Sequence, residues 1–217
     1  MASTRRRIAV IGLGRMGGSL ARDLQRRGAE VLGLDADPSV VQAWADELTH
    51  AVIADATDRE ALDQLRIAGY DSVVVSIGEG LEASVLATSL VADLGVPDIW
   101  AKATSDRHAR ILERMGAHHV VRPERDAARR LSVLLAGGLG DVVSLGEDYS
   151  VAVCTASRTL HGPLDDLLRL PNGPRVRVIA RRSGTGAFVD TTPGTRIDPG
   201  DVVVVAGAVA AVDELSR

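Results

Sequence analysis

Apolar residues in the first half of the chain recur in two alternating patterns. Short, nearly continuous apolar runs are typical of buried strands, and each is followed by a segment with apolar residues at helical spacing. The predicted strands occupy residues 8–11, 31–35, 51–55, 72–77, 99–103 and 119–121. The first predicted helix follows a glycine turn and ends near Arg27, and the others occupy residues 40–48, 59–65, 81–94 and 108–115. Six strands that alternate with helices predict an α/β fold with a Rossmann-like, doubly wound parallel sheet.

The pattern changes after Pro123. Residues 124–135 have a helical pattern, and the glycines at 137, 138 and 140 predict a flexible linker. The remaining predicted elements are strands at 142–145, 151–155, 176–180, 187–189 and 202–206, a hairpin turn at 183–186, and short helices at 163–168 and 209–215. We therefore predict a Rossmann-type domain with its crossover helix at residues 1–140 and a small mixed α/β domain at residues 141–217. The second domain is marginal in size, so we expect it to dimerise.

Composition and charge narrow the classes of partner. The 217 residues are 46% hydrophobic, which is enough for one large core and a smaller second one. A net charge of −4 leaves no broad basic surface, so nucleic acid is not an expected partner. The single cysteine, Cys154, can form no disulfide within the chain, which favours the cytosol. The longest apolar run, residues 202–212, is interrupted by Gly207 and is much shorter than the ~20 residues that span a bilayer.

A glycine-rich turn follows the first predicted strand, with the spacing Gly12-x-Gly14-x-x-Gly17. The first glycine permits a sharp turn, the second lets a ligand phosphate approach bare backbone, and the third lets the helix pack close to the strand. The N–H groups in the first turn of the following helix then face an anion. The turn therefore predicts a phosphate-binding site, although glycine-rich turns without a ligand also occur.

An aspartate at the end of the second strand extends this prediction to a nucleotide. Asp35 stands 21 positions after Gly14, where its carboxylate can accept hydrogen bonds from both ribose hydroxyls. No arginine follows it, so a 2′-phosphate is not expected. We therefore predict an adenine-nucleotide site. Arg15 lies within the glycine turn and has two interpretations. Its guanidinium would suit a ligand with more negative charge than a pyrophosphate, or it is an ordinary solvated turn residue.

Further candidates lie at the carboxyl ends of the other strands, which meet at one edge of a doubly wound sheet. Each has an ordinary explanation as a helix cap or loop residue, but together they are expected to line one crevice. Asp55 and Thr57 are placed to reach the adenine or the ribose. The full set of residues predicted to bind the nucleotide is Gly12, Gly14, Arg15, Met16, Gly17, Asp35, Asp37, Asp55, Ala56, Thr57, Ile77, Gly78, Lys102 and His108.

Groups suited to catalysis are not evident in the tail. A dehydrogenase needs an acid or base beside the nicotinamide, normally supplied by a second domain. The tail offers His161 and the neighbouring Asp165 and Asp166, which form no recognisable pair of a base and an orienting group. His118 and His119 are adjacent on a predicted strand, so they point to opposite faces and do not easily share a metal. The chain is therefore predicted not to be an enzyme, with a site built between subunits left open.

The order of these motifs resembles that of one protein family. The residues concerned are Val10 to Leu20, Asp35, Asp55 to Thr57, Ser76 to Gly78, Trp100 to Ala103, His108, Leu112 to Ala117, Pro123-Glu124 and, in the tail, Ile197 to Gly207. They resemble the RCK (regulator of potassium conductance) proteins, which are regulatory subunits of Ktr-type and Trk-type bacterial potassium uptake systems. The resemblance covers essentially the whole chain and is far more specific than the glycine turn alone.

The resemblance implies a cytosolic subunit that forms homodimers, assembles into an octameric ring and docks beneath a membrane-embedded potassium channel or transporter subunit. ATP and ADP are expected to compete for the crevice and to change the shape of the ring, although related Trk-type subunits bind NAD or NADH. Arg15 is expected near the terminal phosphate, often of a neighbouring subunit's ATP, and Glu124 near a divalent or monovalent cation. Some members bind cyclic di-AMP in the tail, where residues 178–182 lie in a comparable region.

One alternative resemblance leads to a different class of function. Residues 11–17 also look like the opening of hydroxyacid and prephenate dehydrogenases, which are NAD(H)-dependent oxidoreductases. Those enzymes carry a large helical second domain, whereas the tail here is short and rich in strands. The leading hypothesis is therefore a nucleotide-sensing, gating subunit without catalysis, and the alternative is an oxidoreductase.

Overall fold

The computed structural model describes residues 5–78, 80–136, 139–146, 148–156, 160–164 and 176–215. The chain divides into two compact units, residues 1–124 and 125–217. This division precedes most of the crossover helix, whereas the sequence placed the boundary after residue 140. An ion pair between Arg130 and Asp141, 2.9 Å apart, joins the helix to the strand that follows it in the second unit.

The first unit contains a six-stranded parallel sheet. Its strands are β1 (Arg7–Ile11), β2 (Glu30–Asp35), β3 (His50–Ile53), β4 (Ser72–Val75), β5 (Ile99–Lys102) and β6 (His119–Val121). The helices between them are α1 (Arg15–Arg26), α2 (Pro38–Trp44), α3 (Arg59–Gln64), α4 (Leu81–Asp93) and α5 (Asp106–Arg114), with a 3-10 turn at Ile67–Gly69. The strand order is β3-β2-β1-β4-β5-β6 and every pairing is parallel. This is the doubly wound arrangement, so the predicted fold class is confirmed.

Both faces of this sheet are buried, which explains the nearly continuous apolar runs. Ala9 and Ile11 of β1 pack in one apolar cluster with residues of α3, α4 and α5. Ile8 and Val10 belong to a second cluster with Ala21 of α1 and side chains of α2. Successive side chains of a strand point to opposite faces, so one strand contributes to two cores.

The second unit is built around an antiparallel sheet. After helix α6 (Pro123–Ala136) come β7 (Leu139–Leu145), β8 (Tyr149–Thr155), β9 (Gly162–Pro163), β10 (Val176–Arg182), β11 (Val189–Asp190), β12 (Arg196–Ile197), β13 (Val202–Ala208) and α7 (Val209–Glu214). Five strands form a sheet in the order β11-β10-β13-β8-β7, and β9 pairs with β12. An apolar core joins this sheet to Ala211 and Val212 of α7. The predicted mixed α/β character of the tail is therefore observed.

Two local predictions for the tail differ from the structure. Gly140, expected in a flexible linker, lies in β7, where the pairing with β8 shifts register between Leu139 and Asp141. A glycine is well suited to such a bulge because it lacks a side chain that must pack. The helix predicted at 163–168 begins at a residue that pairs in β9, and residues 165–168 lie outside the described part of the chain.

Within the described residues, no helix combines the length and apolar character needed to cross a membrane.

Candidate functional site

A cleft of about 560 Å³ lies at the carboxyl ends of the strands in the first unit. Ligands of doubly wound sheets bind in this position, where the direction of the connections reverses. Most of the residues predicted to bind a nucleotide line it: Gly12, Gly14, Arg15, Met16, Asp35, Asp37, Asp55, Ala56, Thr57, Ile77, Gly78 and Lys102. Gly17 and His108 do not.

The three glycines of the turn have the distinct local environments that their spacing predicts. Gly12 has a φ of +89°, and a Cβ there would lie 2.9 Å from the carbonyl oxygen of Ser76. A Cβ on Gly17 would lie 1.9 Å from the carbonyl oxygen of Gly12, which explains why Gly17 packs behind the cleft rather than lining it. A Cβ on Gly14 would meet no protein atom within 4 Å among the described residues. Gly14 therefore presents bare backbone to the open cleft.

The amino terminus of α1 points its unpaired N–H groups at this end of the cleft. Gly14 occupies the N-cap and supplies no side-chain hydrogen bond, and the described first turn contains no acidic residue. The first N–H groups of a helix have no partner inside the helix, and they carry the positive end of its dipole. Arg15 adds an exposed guanidinium at the same place. An anion is therefore the ligand that this end of the cleft favours.

Asp35 holds the glycine turn in place and remains available to a ligand. One carboxylate oxygen accepts a hydrogen bond from the N–H of Leu13 at 2.8 Å, and the other accepts one from the N–H of Asp37 at 3.0 Å. A carboxylate has about four acceptor positions, so each oxygen keeps a second lone pair. The residue can accept ribose hydroxyls while it fixes the loop.

Two other aspartates in the cleft have the structural roles that the sequence left open. Asp37 caps α2 by accepting the N–H and hydroxyl of Ser39, at 2.8 and 2.7 Å. Asp55 accepts the N–H and hydroxyl of Thr57 in the same way, also at 2.8 and 2.7 Å. The hydrogen bonds from Ser39 and Thr57 lower the pKa of Asp37 and Asp55 respectively, so both carboxylates stay ionised at neutral pH. They make this side of the cleft acidic, which suits hydroxyl and amino donors rather than phosphate.

Cationic groups are found at the other side. Lys102, at the end of β5, has its Nζ 3.6 Å from the position that a Cβ on Gly78 would take. The same Nζ lies 2.8 Å from Oε1 of Glu124, whose side chain is 67% exposed, whereas that of Lys102 is 13% exposed. The hydrogen bond from Lys102 lowers the pKa of Glu124, and the charge of Arg15 contributes to the same effect. Charged side chains of lysine, glutamate and arginine therefore interact at this side of the cleft.

The cation predicted at Glu124 would need ligands from elsewhere. No group of three or more His, Cys, Asp or Glu side chains within the described ranges is arranged to hold a metal ion. Glu124 would therefore supply one carboxylate, and phosphate oxygens or another subunit the rest.

His108, predicted to contact the nucleotide, is instead buried inside the first unit. It is 2% exposed, and its Nδ1 accepts the N–H of Thr104 at 3.3 Å. An accepting Nδ1 places the proton on Nε2, which is buried without a hydrogen-bond partner among the described residues. The helix cap explains the difference, because the hydroxyl of Ser105 accepts the N–H of His108 and starts α5 two residues earlier than predicted. His108 therefore points into the protein.

Residues that the sequence analysis missed are mostly apolar parts of the cleft wall. They are Ile11, Leu34, Ala36, Val40, Ala54 and Ala83. Three of them lie in the last two positions of a predicted strand, and Ala36 directly follows one, so the ends of strands were a usable signal. Val40 and Ala83 belong to helices, and only the packing of α2 and α4 brings them to the cleft.

Burial of His108 predicts a loss of stability in mild acid. Desolvation lowers the pKa of His108 below its ordinary value of 6.5, so the folded state holds the neutral ring while the unfolded state binds a proton. Stability is full above the unfolded pKa and falls as the pH drops through 6.5 towards the lower folded value, by at most about 1.4 kcal/mol per pH unit for one proton. We expect His108→Gln to remove this part of the pH dependence.

Urea unfolding between pH 8 and pH 5.5 measures this effect, with tryptophan fluorescence as the readout. Both tryptophans, Trp44 and Trp100, lie in the first unit, so the signal reports that unit. His50→Gln is the matched control, because it makes the same substitution at an exposed position, at the start of β3. An identical profile in wild type and His108→Gln would show that His108 is not the group responsible.

Two family models match most of the chain. The TrkA-N domain matches residues 8–123, and the TrkA-C domain matches residues 157–217. Ktr system potassium uptake protein C of Bacillus subtilis is 35% identical over 216 residues, which cover 98% of this chain and 97% of the relative. Ktr system potassium uptake protein A of the same organism is 40% identical over 160 residues, covering 71% and 70%. These relatives are named for potassium uptake and not for a reaction, which supports the prediction that the chain is not an enzyme.

The fold is also found in a solved channel structure. The GsuK channel bound to NAD superposes over 100% of this chain with a TM-score of 0.69 and 19% identity. This chain spans 40% of the length of that channel chain, and at this identity the match concerns the fold alone. A second GsuK structure is of its RCK domain, again covering 100% of this chain, with a TM-score of 0.63.

Proposed function

Because this chain belongs to the family of TrkA-N and TrkA-C proteins that includes the Ktr potassium uptake proteins, we propose that it is the nucleotide-sensing regulatory subunit of a potassium transport system. In this proposal it lies at the cytoplasmic face of the membrane and controls a membrane-embedded partner that conducts the ion. The relatives' names support a role in potassium transport, and the residues that line the cleft support nucleotide binding.

The single observation on which the proposed nucleotide ligand rests is the division of charge within the cleft. Gly14, the uncapped start of α1, Arg15 and Lys102 favour anions at one side, while Asp35 and its neighbours favour hydroxyl donors at the other. A nucleotide has its phosphates and its ribose in this order. Arg15 adds a guanidinium beside a helix amino terminus that already suits a pyrophosphate, which supports a nucleotide with a longer phosphate chain, such as ATP, with ADP as its competitor.

The proposed mechanism needs no bond to be broken. ATP and ADP differ by one phosphate, so they differ in their contacts with Arg15, Lys102 and a cation at Glu124. A ligand shifts a conformational equilibrium only when its affinities for the two states differ, and this extra phosphate supplies such a difference. The homodimer and octameric ring implied by the family resemblance are the assembly whose shape would change.

Cyclic di-AMP in the tail belongs to the same proposal, in the region of residues 178–182. Two arginines there already have partners. The guanidinium of Arg181 donates to the buried carboxylate of Asp201 at 3.1 Å, and the guanidinium carbon of Arg182 lies 4.7 Å from the centre of the Phe188 ring. A second messenger would therefore have to bind beside these contacts or replace them.

NAD or NADH is the second candidate ligand. Asp35 fits an adenosine ribose without a 2′-phosphate, a feature that NAD shares with ATP, and the similar GsuK channel was solved with NAD. A binding role for NAD would still be a sensing role. The dehydrogenase alternative from the sequence receives no support from the relatives' names, and we do not propose it.

A panel of nucleotides tests the proposal directly. Calorimetric titration of the purified protein with ATP, ADP and NADH, with and without Mg²⁺, should show that ATP and ADP bind to one site per chain and compete with each other. Potassium flux in vesicles that contain the protein and its membrane partner should then differ between ATP and ADP. If only NADH binds, NAD or NADH replaces ATP and ADP as the proposed ligand. If no adenine nucleotide binds, the proposal is refuted.

A further inference from the structure

The ion pair between Lys102 and Glu124 lies at the edge of the cleft and has unequal partners. Lys102 lines the cleft and is largely sheltered, whereas most of the Glu124 side chain is in solvent. Their 2.8 Å contact ties the ammonium to a carboxylate that is not itself a cleft residue. The positive charge nearest Gly78 is therefore already partly neutralised by the protein.

A phosphate chain in the cleft would approach the same ammonium. Gly14, Arg15 and Gly78 line the cleft together with Lys102, so an anion bound at α1 lies within the field of Lys102. It also lies in the field of Glu124, whose negative charge repels it. Salt screens this repulsion little when the two charges are a few ångströms apart, because that separation is shorter than the ~8 Å Debye length of physiological salt.

We propose that Glu124 competes with the terminal phosphate of the nucleotide for Lys102. When a phosphate binds, Lys102 turns from Glu124 to the ligand, and the freed carboxylate opposes binding until a cation neutralises it. Glu124 therefore lowers the affinity most for the nucleotides with the most phosphate charge. This makes Glu124 a residue that determines which nucleotide the cleft prefers. This inference rests on the proposed function of the cleft.

The location of Glu124 gives the competition a consequence beyond the cleft. Glu124 is the last residue of the first unit and the second residue of α6, and the rest of α6 belongs to the second unit. Release of its carboxylate therefore changes the charge at the covalent junction of the two units. The switch from one partner to another occurs at the start of the helix that leads into the tail.

Glu124→Gln separates this competition from other effects, because it removes the charge and keeps the shape of an exposed side chain. In buffer with excess EDTA we expect Glu124→Gln to bind ATP roughly fivefold more tightly than wild type, a change of the size that one partly exposed ion pair supplies. The gain should be smaller for ADP and absent for adenosine, which has no phosphate. Glu113→Gln is the matched control, because Glu113 is an exposed carboxylate on α5 and does not line the cleft.

Lys102→Met tests whether the lysine mediates the gain. Adding Glu124→Gln to Lys102→Met should improve ATP binding clearly less than adding it to wild type, since only the direct repulsion remains once the group for which the two anions compete is gone. Glu124→Asp keeps the charge but is shorter, so its ATP affinity should lie between those of wild type and Glu124→Gln. Circular dichroism of each variant verifies that it is folded.

The outcomes distinguish this inference from the proposed function. If wild type binds ATP and ADP but Glu124→Gln shows no gain, the competition is wrong and the nucleotide site stands. A gain that is equal for adenosine, or that is as large in Lys102→Met as in wild type, also overturns the inference. If wild type binds no adenine nucleotide, both the inference and the proposed function fail.

Discussion

Replacing Gly17 by alanine is expected to destabilise the first unit by about 3 kcal/mol and to abolish nucleotide binding, since overpacking of a rigid site typically costs 1–3 kcal/mol or more. The new Cβ would lie 1.9 Å from the carbonyl oxygen of Gly12, an atom of the backbone that cannot rotate away. Relief requires α1 to move away from β1. That movement displaces the N–H groups of the α1 amino terminus, which are the proposed phosphate ligands.

Gly14→Ala is the matched control for Gly17→Ala, because the same atom is added three residues earlier in the same turn. Its Cβ would meet no described protein atom within 4 Å, and the φ of −58° suits alanine. We expect its unfolding free energy to stay within about 1 kcal/mol of wild type, the range of a glycine-to-alanine change at an N-cap. ATP should nevertheless bind at least roughly tenfold more weakly, because the Cβ occupies the approach of the phosphate.

Urea unfolding followed by tryptophan fluorescence gives the stability of the first unit, and calorimetry gives the affinity for ATP. We expect Gly17→Ala to lose both stability and ATP affinity, and Gly14→Ala to lose only ATP affinity. Equal stability of wild type and Gly17→Ala would contradict the close packing of α1 on the turn. Unchanged ATP affinity in Gly14→Ala would show that the phosphates do not pass over Gly14.

Replacing Arg15 by alanine is expected to lower ATP affinity by about tenfold to a hundredfold, the effect of losing a hydrogen bond to a charged group. The side chain is exposed, so the stability of the fold should not change. The affinity for ADP should fall less, because ADP lacks the terminal phosphate that Arg15 is proposed to contact. The ratio of ATP to ADP affinity therefore falls, and with it the ability of ATP to change potassium flux.

Arg15→Lys serves as the control for charge. It keeps one positive charge but loses the planar fork that can bind two phosphate oxygens, so an intermediate affinity is expected. Competition titrations of ATP against ADP, followed by flux measurements with the membrane partner, provide the readout. Retained switching between ATP and ADP in Arg15→Ala would count heavily against the proposed role of the extra phosphate.

The elements of the first unit were predictable because their signals are local. The apolar runs of β1, β2 and β4 follow from burial on both faces, and the glycine spacing sets the turn before α1. Asp35 was identifiable from its distance to Gly14. These features depend on a strand, a turn and a helix that are adjacent in the chain.

The tail was predicted less well for a physical reason. The strands that were missed, β9 and β12, have only two residues each and pair with each other across a long stretch of the chain, so their local pattern is compatible with several structures. Pro163 suggested the start of a helix, but it pairs in β9 with Arg196 of β12. Gly140 suggested a linker, but it forms part of β7. Pairing across long separations decides such segments, and no short window of sequence contains that information.

The sequence by itself determined the family, the doubly wound sheet and the glycine turn, since backbone preferences and apolar periodicity act over a few neighbouring residues. Tertiary structure decided the direction and partners of the side chains. It turned His108 into the core, set Gly17 behind the cleft, and joined Lys102 to Glu124 across two elements. The order of the strands and the packing of the helices fix such contacts, because residues far apart in the chain meet only when the sheet has formed.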